Sequence, residues 1–199
     1  MSVTCVSYTA EGWGVGEVWH DGVQLVWHEL PRRRERAPAD ASPGTRARAR
    51  VYTRETPSQG GGADPPPSRS TVPRKRAQAR DKAVPEVQQL LERLRAYFEG
   101  SRVAFADVTI EDDGWTAFQR DVVAAMRRVP YGEVVSYSDL ARLAGHPRAQ
   151  RAAGTVCAGN RFPLVVPCHR VVSADGIGSY PGLGVDYKRR LLTLEGVTL

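Results

Sequence analysis

Apolar and polar side chains alternate with a period of two along the first thirty residues, the mark of strands that bury one face. Residues 3–8, 13–19 and 23–30 read as three short strands, with Gly12 at one connection and Asp21-Gly22 at the next. Asp-Gly between alternating runs signals a hairpin, because a tight primed turn needs positive φ there. A three-stranded antiparallel sheet with one covered face is expected. The period disappears from Pro31 to about Lys82, where Arg, Pro, Ala, Ser and Gly dominate and Gly60-Gly61-Gly62 and Pro65-Pro66-Pro67 occur. So few apolar residues cannot offset the entropy of ordering, so a disordered basic insertion is expected over 32–82.

A period of 3.6 then takes over. Val87, Leu90, Leu91, Leu94 and Phe98 form one stripe, with Pro85 suited to the start and Gly100 to the end. This helix is expected to cover the sheet. Residues 102–110 read as a short strand entering an acidic turn at Glu111-Asp112-Asp113. A helix over 115–128 follows, stopped by Pro130. A third is expected over 137–144, behind Ser136, and a fourth over 148–159, the two separated by Gly145-His146-Pro147. Two short helices about such a turn have the form of a helix-turn-helix. The predicted fold class is thus a two-part α/β chain. Residues 1–113 form the sheet-plus-helix domain with its insertion, and residues 114–199 a mostly helical, winged-helix-like domain.

The fourth helix is unusually bare: Arg148, Ala149, Gln150, Arg151, Ala152, Ala153 and Gly154 leave little bulk besides Arg and Gln. Such a helix either packs closely on a neighbour or enters a DNA groove, with Arg151 as the intruding side chain. Charge bears on the choice. The net +6 is uneven: −4 over residues 1–31, +9 over 32–82, −4 over 83–113 and +5 over 114–199. Alternating blocks suit a cationic tether and an anion-facing module, although a solvated basic face accounts for them equally well. Arg32-Arg33-Arg34 and Arg74-Lys75-Arg76 suit either loose phosphate contacts or a solubilising spacer. No apolar run approaches a bilayer span, and the chain start lacks the pattern of a secretory signal. Three cysteines without a C-x-x-C pair suggest free thiols in a reducing compartment, cytoplasmic or nuclear.

One thiol has a setting that suggests chemistry. Cys168 follows the apolar, stiff run Phe162-Pro163-Leu164-Val165-Val166-Pro167 and precedes His169 and Arg170. A thiol reacts as thiolate, so a neighbouring base and cation matter. Side chains adjacent in an extended segment point apart, so a water between Cys168 and His169 is easier than direct contact. Cys157, among small residues, suits packing, and His146 a surface turn.

The stretch from Trp115 to Gly196 resembles the catalytic domain of the 6-O-alkylguanine-DNA alkyltransferases, the methylated-DNA–protein-cysteine methyltransferases. The resemblance rests on Pro167-Cys168-His169-Arg170-Val171, on Pro130-Tyr131-Gly132-Glu133-Val134-Val135-Ser136-Tyr137, and on Leu191-Leu192 through Glu195-Gly196. It implies irreversible, stoichiometric transfer of an alkyl group from 6-O-alkylguanine (4-O-alkylthymine being a further candidate) to Cys168 after base flipping. His169 would be the base acting through water and Glu195 its orienting carboxylate. Asn160 would tie the recognition helix to the active-site segment, and Tyr137 would crowd the phosphate and assist the departing guanine. Arg151, with Arg148, Ala152 and Gly154, would meet DNA, and Tyr180, Gly182 and Val171 would line the base pocket. The implied partner is double-stranded DNA, met through the minor groove by a monomer. No cofactor or membrane is implied. Some relatives hold zinc in the N-terminal domain, but Cys5, His20 and His28 do not reproduce a four-ligand set, so no metal is expected. Two other classes compete: a non-catalytic lesion binder, which the presence of Cys168 opposes, and a cysteine hydrolase, for which adjacent Cys and His make a poor dyad.

Overall fold

In the computed structural model, which describes residues 2–33, 50–53 and 85–199, the alternating N-terminal run forms β1 (Ser2–Ala10), β2 (Gly14–His20) and β3 (Leu25–Arg32). Both connections are antiparallel, and Tyr8 stands opposite Gly16. Gly16 is required there, since a Cβ would come within 2.5 Å of the Tyr8 ring. The second connection does turn at Asp21-Gly22, but as a four-residue loop over 21–24 with only Gly22 at positive φ, in place of the tight primed turn. Gly22 takes φ of +97°, and the Asp21 carboxylate accepts from the backbone N–H groups of Val23 and Gln24, both at 2.9 Å. The sheet is nonetheless four-stranded, in the order β3-β2-β1-β4, with β4 at Arg50–Thr53. This corrects the unbroken disordered insertion expected over 32–82, most of which lies outside the described residues. Arg32 closes β3, and Val51, Tyr52 and Thr53 have the β propensity to pair with the open edge of β1, Val3 opposite Tyr52.

Helix α1 (Pro85–Phe98) follows. Its Val87, Leu90, Leu91 and Leu94 are buried, as are Tyr8, Val18, Leu25 and Leu30 of the sheet. The strand expected over 102–110 does not form. Ile110 alone bridges to Leu25, while Arg127 Nη2 donates to the carbonyls of Phe105, Ala106 and Val108 at 2.8–3.0 Å. A guanidinium thus takes the carbonyls that a ladder would have paired.

The chain divides into two compact units, residues 1–95 with 109–111, and residues 96–108 with 112–199. The division does not fall at 113/114, because the last turn of α1 and the segment after it belong to the second unit. In that unit α2 (Ala117–Arg127) starts at a capping box formed by Thr116 and Gln119. Helix α3 (Tyr137–Leu143) is capped by Ser136, and α4 (Gln150–Ala158) follows after residues 144–149. Strands β5 (Val135–Ser136) and β6 (Val171–Val172) pair in parallel, and α5 (Val185–Leu194) ends the unit. Val122, Met126, Leu140, Ala153, Phe162, Val166 and Leu191 are wholly buried in it. No helix among the described residues is long and apolar enough to cross a membrane.

Candidate active site

The stiff run before Cys168 is buried from Leu164 onward. Leu164 adopts φ of +71°, a strained conformation for a side chain with a Cβ. Val166 N–H donates to Phe162 O at 2.7 Å, and Cys168 N–H donates to Val166 O at 2.9 Å. The sulfur therefore stands at the head of a 3₁₀ turn, Cys168–Arg170. Asn160 braces it: Nδ2 donates to Cys168 Sγ at 3.0 Å and to Val166 O at 2.7 Å, and Oδ1 accepts from Phe162 N–H at 3.0 Å. These three bonds fix which way the amide points.

Cys168 is only 8% exposed. Burial pushes its thiol above the ordinary value, opposed by the Asn160 hydrogen bond, the Lys188 charge and the Tyr180 hydroxyl. That hydroxyl is buried without a hydrogen bond of good geometry, yet it lies close enough to the sulfur to ease ionisation of the thiol, while burial first and the sulfur second push the Tyr180 hydroxyl well above its ordinary value. The Tyr180 ring stacks on Tyr187, 6.5 Å between centroids and 13° from parallel. Lys188 is fully buried, and its Nζ donates to Val171 O at 2.6 Å. Cys157 is a poor competitor as a nucleophile. Burial pushes its thiol to about 12, and its sulfur lies 3.5 Å from Met126 Sδ.

At three residues per turn, successive side chains of a 3₁₀ turn diverge. His169 accordingly faces Glu195, the residue that ends α5. Glu195 Oε1 accepts from His169 Nε2 at 2.8 Å and from the Tyr97 hydroxyl at 2.6 Å. Arg170 grips both oxygens, Nε to Oε2 at 2.9 Å and Nη2 to Oε1 at 3.0 Å, while its Nη1 donates to Val129 O at 2.7 Å. Gly132 N–H adds a donor to Oε2 at 3.1 Å. Burial alone would disfavour the Glu195 carboxylate, but the His169 and Arg170 hydrogen bonds and charges outweigh it and hold its carboxyl well below the usual range. Burial also keeps His169 below its ordinary value, against the pull of Glu195. With Nε2–H committed to the carboxylate, the basic lone pair is on Nδ1, which is buried and has no protein partner.

The predicted site residues do not all come together. Cys168, Asn160 and Tyr180 come together around the sulfur, and His169 and Glu195 form the relay behind it. Tyr137 heads α3 beside Gly154 and Gly178, whose added Cβ atoms would meet its ring at 3.7 and 3.6 Å. Arg148, Arg151 and Ala152 are exposed at and before the start of α4, and Gly154 is half-buried. Arg148 precedes the helix instead of opening it, with φ of +78°. Val171 is wholly buried in β6, whereas Gly182 is exposed with open space where a Cβ would lie.

Tyr97, Lys188 and Gly132 were missed, and Arg170, noted as a cation beside the thiol, turns instead to Glu195. Tyr97 had a signal, because it extends the stripe of Leu90 and Leu94 by a further helical step. In the first unit Cys5 pairs across from Trp19, while His28 pairs across from Val18, so Cys5 and His28 occupy opposite sheet faces. His28 Nε2 is 2.7 Å from the Tyr8 hydroxyl. Among the described residues no group of three or more His, Cys, Asp or Glu is placed to hold a metal ion.

Residues 117–197 match the family model of the 6-O-methylguanine DNA methyltransferase DNA-binding domain. A methylated-DNA–protein-cysteine methyltransferase of Methanopyrus kandleri is 45% identical over 104 residues, 52% of this chain and 76% of that protein. The crystal structure of the Mycobacterium tuberculosis O6-methylguanine methyltransferase superposes with a TM-score of 0.63 at 28% identity, over 96% of this chain and 92% of that one. The same organism's protein solved in complex with DNA gives 0.61 at 27% identity, over 95% and 90%. A buried thiol braced by asparagine, a histidine–glutamate relay behind it and likeness to these proteins over both units lead to one conclusion: this chain belongs to the methylated-DNA–protein-cysteine methyltransferases, DNA-repair proteins that transfer an alkyl group to a cysteine.

Proposed function

We propose that Cys168 takes the alkyl group of 6-O-alkylguanine, once and irreversibly, from a nucleotide extruded out of double-stranded DNA. The observation that carries this reading is the pairing of a nearly sealed thiol with a wholly buried imidazole whose Nε2–H is committed to Glu195. At neutral pH both groups are uncharged by the directions of their shifts. Attack therefore requires the thiol proton to leave as the bond forms. A water carries it from sulfur to His169 Nδ1, and Glu195 stabilises the resulting imidazolium. Sulfur bonds to the alkyl carbon, the carbon–oxygen bond breaks, and guanine departs with the electron pair. Tyr137, with a hydroxyl kept protonated by burial, supplies a hydrogen bond to that leaving charge. The thioether has no acid–base route back, so one molecule repairs one lesion.

The delivery of the base is assigned to α3 and α4 acting as a helix-turn-helix in the minor groove. Its support is the exposed start of α4, where small Ala152 allows close approach and Gly154 leaves room for Tyr137, together with the DNA-bound structure of the M. tuberculosis protein. Arg151 fills the gap in the stack, Arg148 holds the backbone, and Tyr180, beside the sulfur, lines the base pocket. The protein acts as a monomer, in the cytoplasm or nucleus.

Duplex DNA with a labelled 6-O-methylguanine tests the reading. Label should move to Cys168 and saturate near one per protein, whereas repeated turnover or retention on DNA would overturn it. Arg151→Ala should slow transfer from duplex by about 10- to 100-fold, the scale of a few kcal/mol of unstacking no longer offset. The reaction with free 6-O-alkylguanine should stay unchanged. Equal losses on both substrates would mean that Arg151 supports the fold alone.

A further inference from the structure

We infer that Tyr97 is a positioning residue of this reaction: its hydroxyl, donating to Glu195, sets how strongly that carboxylate draws on His169, and so how readily His169 accepts the Cys168 proton. The inference rests on the proposed role of His169 as base. Tyr97 lies outside the 117–197 span that matches the DNA-binding domain. It is carried by the last turn of α1, and its 2.6 Å donation is the shortest that Glu195 receives. It lands on Oε1, the same oxygen that holds His169 Nε2, and the hydroxyl oxygen is itself 3.4 Å from that nitrogen.

Hydrogen bonds to one carboxylate oxygen compete. Charge drawn toward the Tyr97 hydroxyl is unavailable to stabilise the imidazolium. Burial and the Glu195 charge push the Tyr97 hydroxyl far above its ordinary value, so it is a permanent donor. Packing does not explain it. The ring meets Phe98, Phe105 and Tyr131 at centroid distances of 5.4, 6.3 and 6.1 Å, contacts that a phenyl ring keeps. The other donors are less dispensable, because Arg170 neutralises the buried carboxylate and Gly132 offers a backbone N–H. The charged and titratable groups acting on His169 are Glu195, Arg170 and Lys188, with Tyr97 in contact and Tyr131 adding to the field at Tyr97.

Tyr97→Phe should make His169 more basic. Followed by NMR of the imidazole, its titration midpoint should rise by about one pH unit, the scale of a redistributed charge-assisted hydrogen bond. The acid limb of the pH profile for label transfer should rise with it. Transfer then falls about ten-fold on that limb, while the rate on the plateau rises by a few-fold, because a more basic His169 takes the Cys168 proton more readily. Should the phenylalanine variant not fold, 3-fluorotyrosine placed at position 97 keeps the shape and strengthens the donor, so the midpoint should move down. A lower melting temperature with the midpoint and the pH profile unmoved would overturn the inference, as would a shift of opposite sign. Absence of label on Cys168 in the unsubstituted protein would instead overturn the proposed function, and the NMR midpoints would still decide the coupling.

Discussion

Cys168→Ser is expected to abolish alkyl transfer, by about four orders of magnitude or more, the scale seen when a covalent nucleophile is removed. A thiol near neutral pH is close enough to ionisation for a buried imidazole to complete it through water, and sulfur is a soft nucleophile well matched to saturated carbon. A serine hydroxyl is neither. The fold should survive, because a serine oxygen can accept the Asn160 hydrogen bond that now reaches the sulfur at 3.0 Å. Stability should change by less than about 1 kcal/mol, and binding to lesion-containing duplex should persist with its salt dependence intact. Mass spectrometry of the protein after exposure to labelled DNA measures the transfer. Label on the variant, at Cys157 or elsewhere, would sink the assignment of Cys168 as sole acceptor.

Glu195→Ala is expected to cost about 3–5 kcal/mol of stability, the range for removing one partner of a buried ion pair. Five donors converge on the carboxylate from Tyr97, Gly132, His169 and both arms of the Arg170 fork. Without it, Arg170 keeps Val129 O and the face of the Tyr131 ring, neither of them an anion, in a site where it is 7% exposed. The sign of the pH dependence follows from the direction of the shift. The folded carboxyl ionises at lower pH than the unfolded one, so its contribution is complete above about pH 4.3 and is lost as pH falls through the folded value. His169 is depressed in the fold, and its burial costs stability as pH drops below about 6.5. Denaturant melts of both proteins at pH 7 and pH 4 would check this. At pH 7 a gap below about 1 kcal/mol would refute the buried-pair account, and at pH 4, still above the folded carboxyl value, most of the gap should remain.

Chemistry was more legible than connectivity. The run around Cys168 is local, so the nucleophile, its restrained backbone and the histidine beside it are all visible in five consecutive residues. The hairpin at Asp21-Gly22 and the stripe of α1 were legible for the same reason, since turn chemistry and side-chain periodicity depend on neighbours a few residues apart. Residues 102–110 misled because the pairs Val103/Phe105 and Val108/Ile110 each have a strand's two-residue spacing, while Arg127, about twenty residues on, decides where the carbonyls of Phe105, Ala106 and Val108 go. The β4 strand was hidden by its surroundings. Four residues in a basic, Pro- and Gly-rich stretch offer too little pattern, and their pairing depends on the free edge of β1.

By itself the sequence determined that a thiol at 168 stands beside a histidine in a stiff apolar run, and that a helical module with a bare, arginine-bearing helix precedes it. The resemblance implied Glu195 as the partner of that histidine, but tertiary structure alone decided which way it faces and what else shares the carboxylate. Its Nε2 turns to Glu195, 26 residues on, a carboxylate shared with Arg170 and with a tyrosine hydroxyl 98 residues before it. The reason is physical. Periodicity records which face of an element is buried, whereas a buried carboxylate is satisfied by whichever donors the packed elements bring within about 3 Å, and that encounter leaves no regular imprint along the chain.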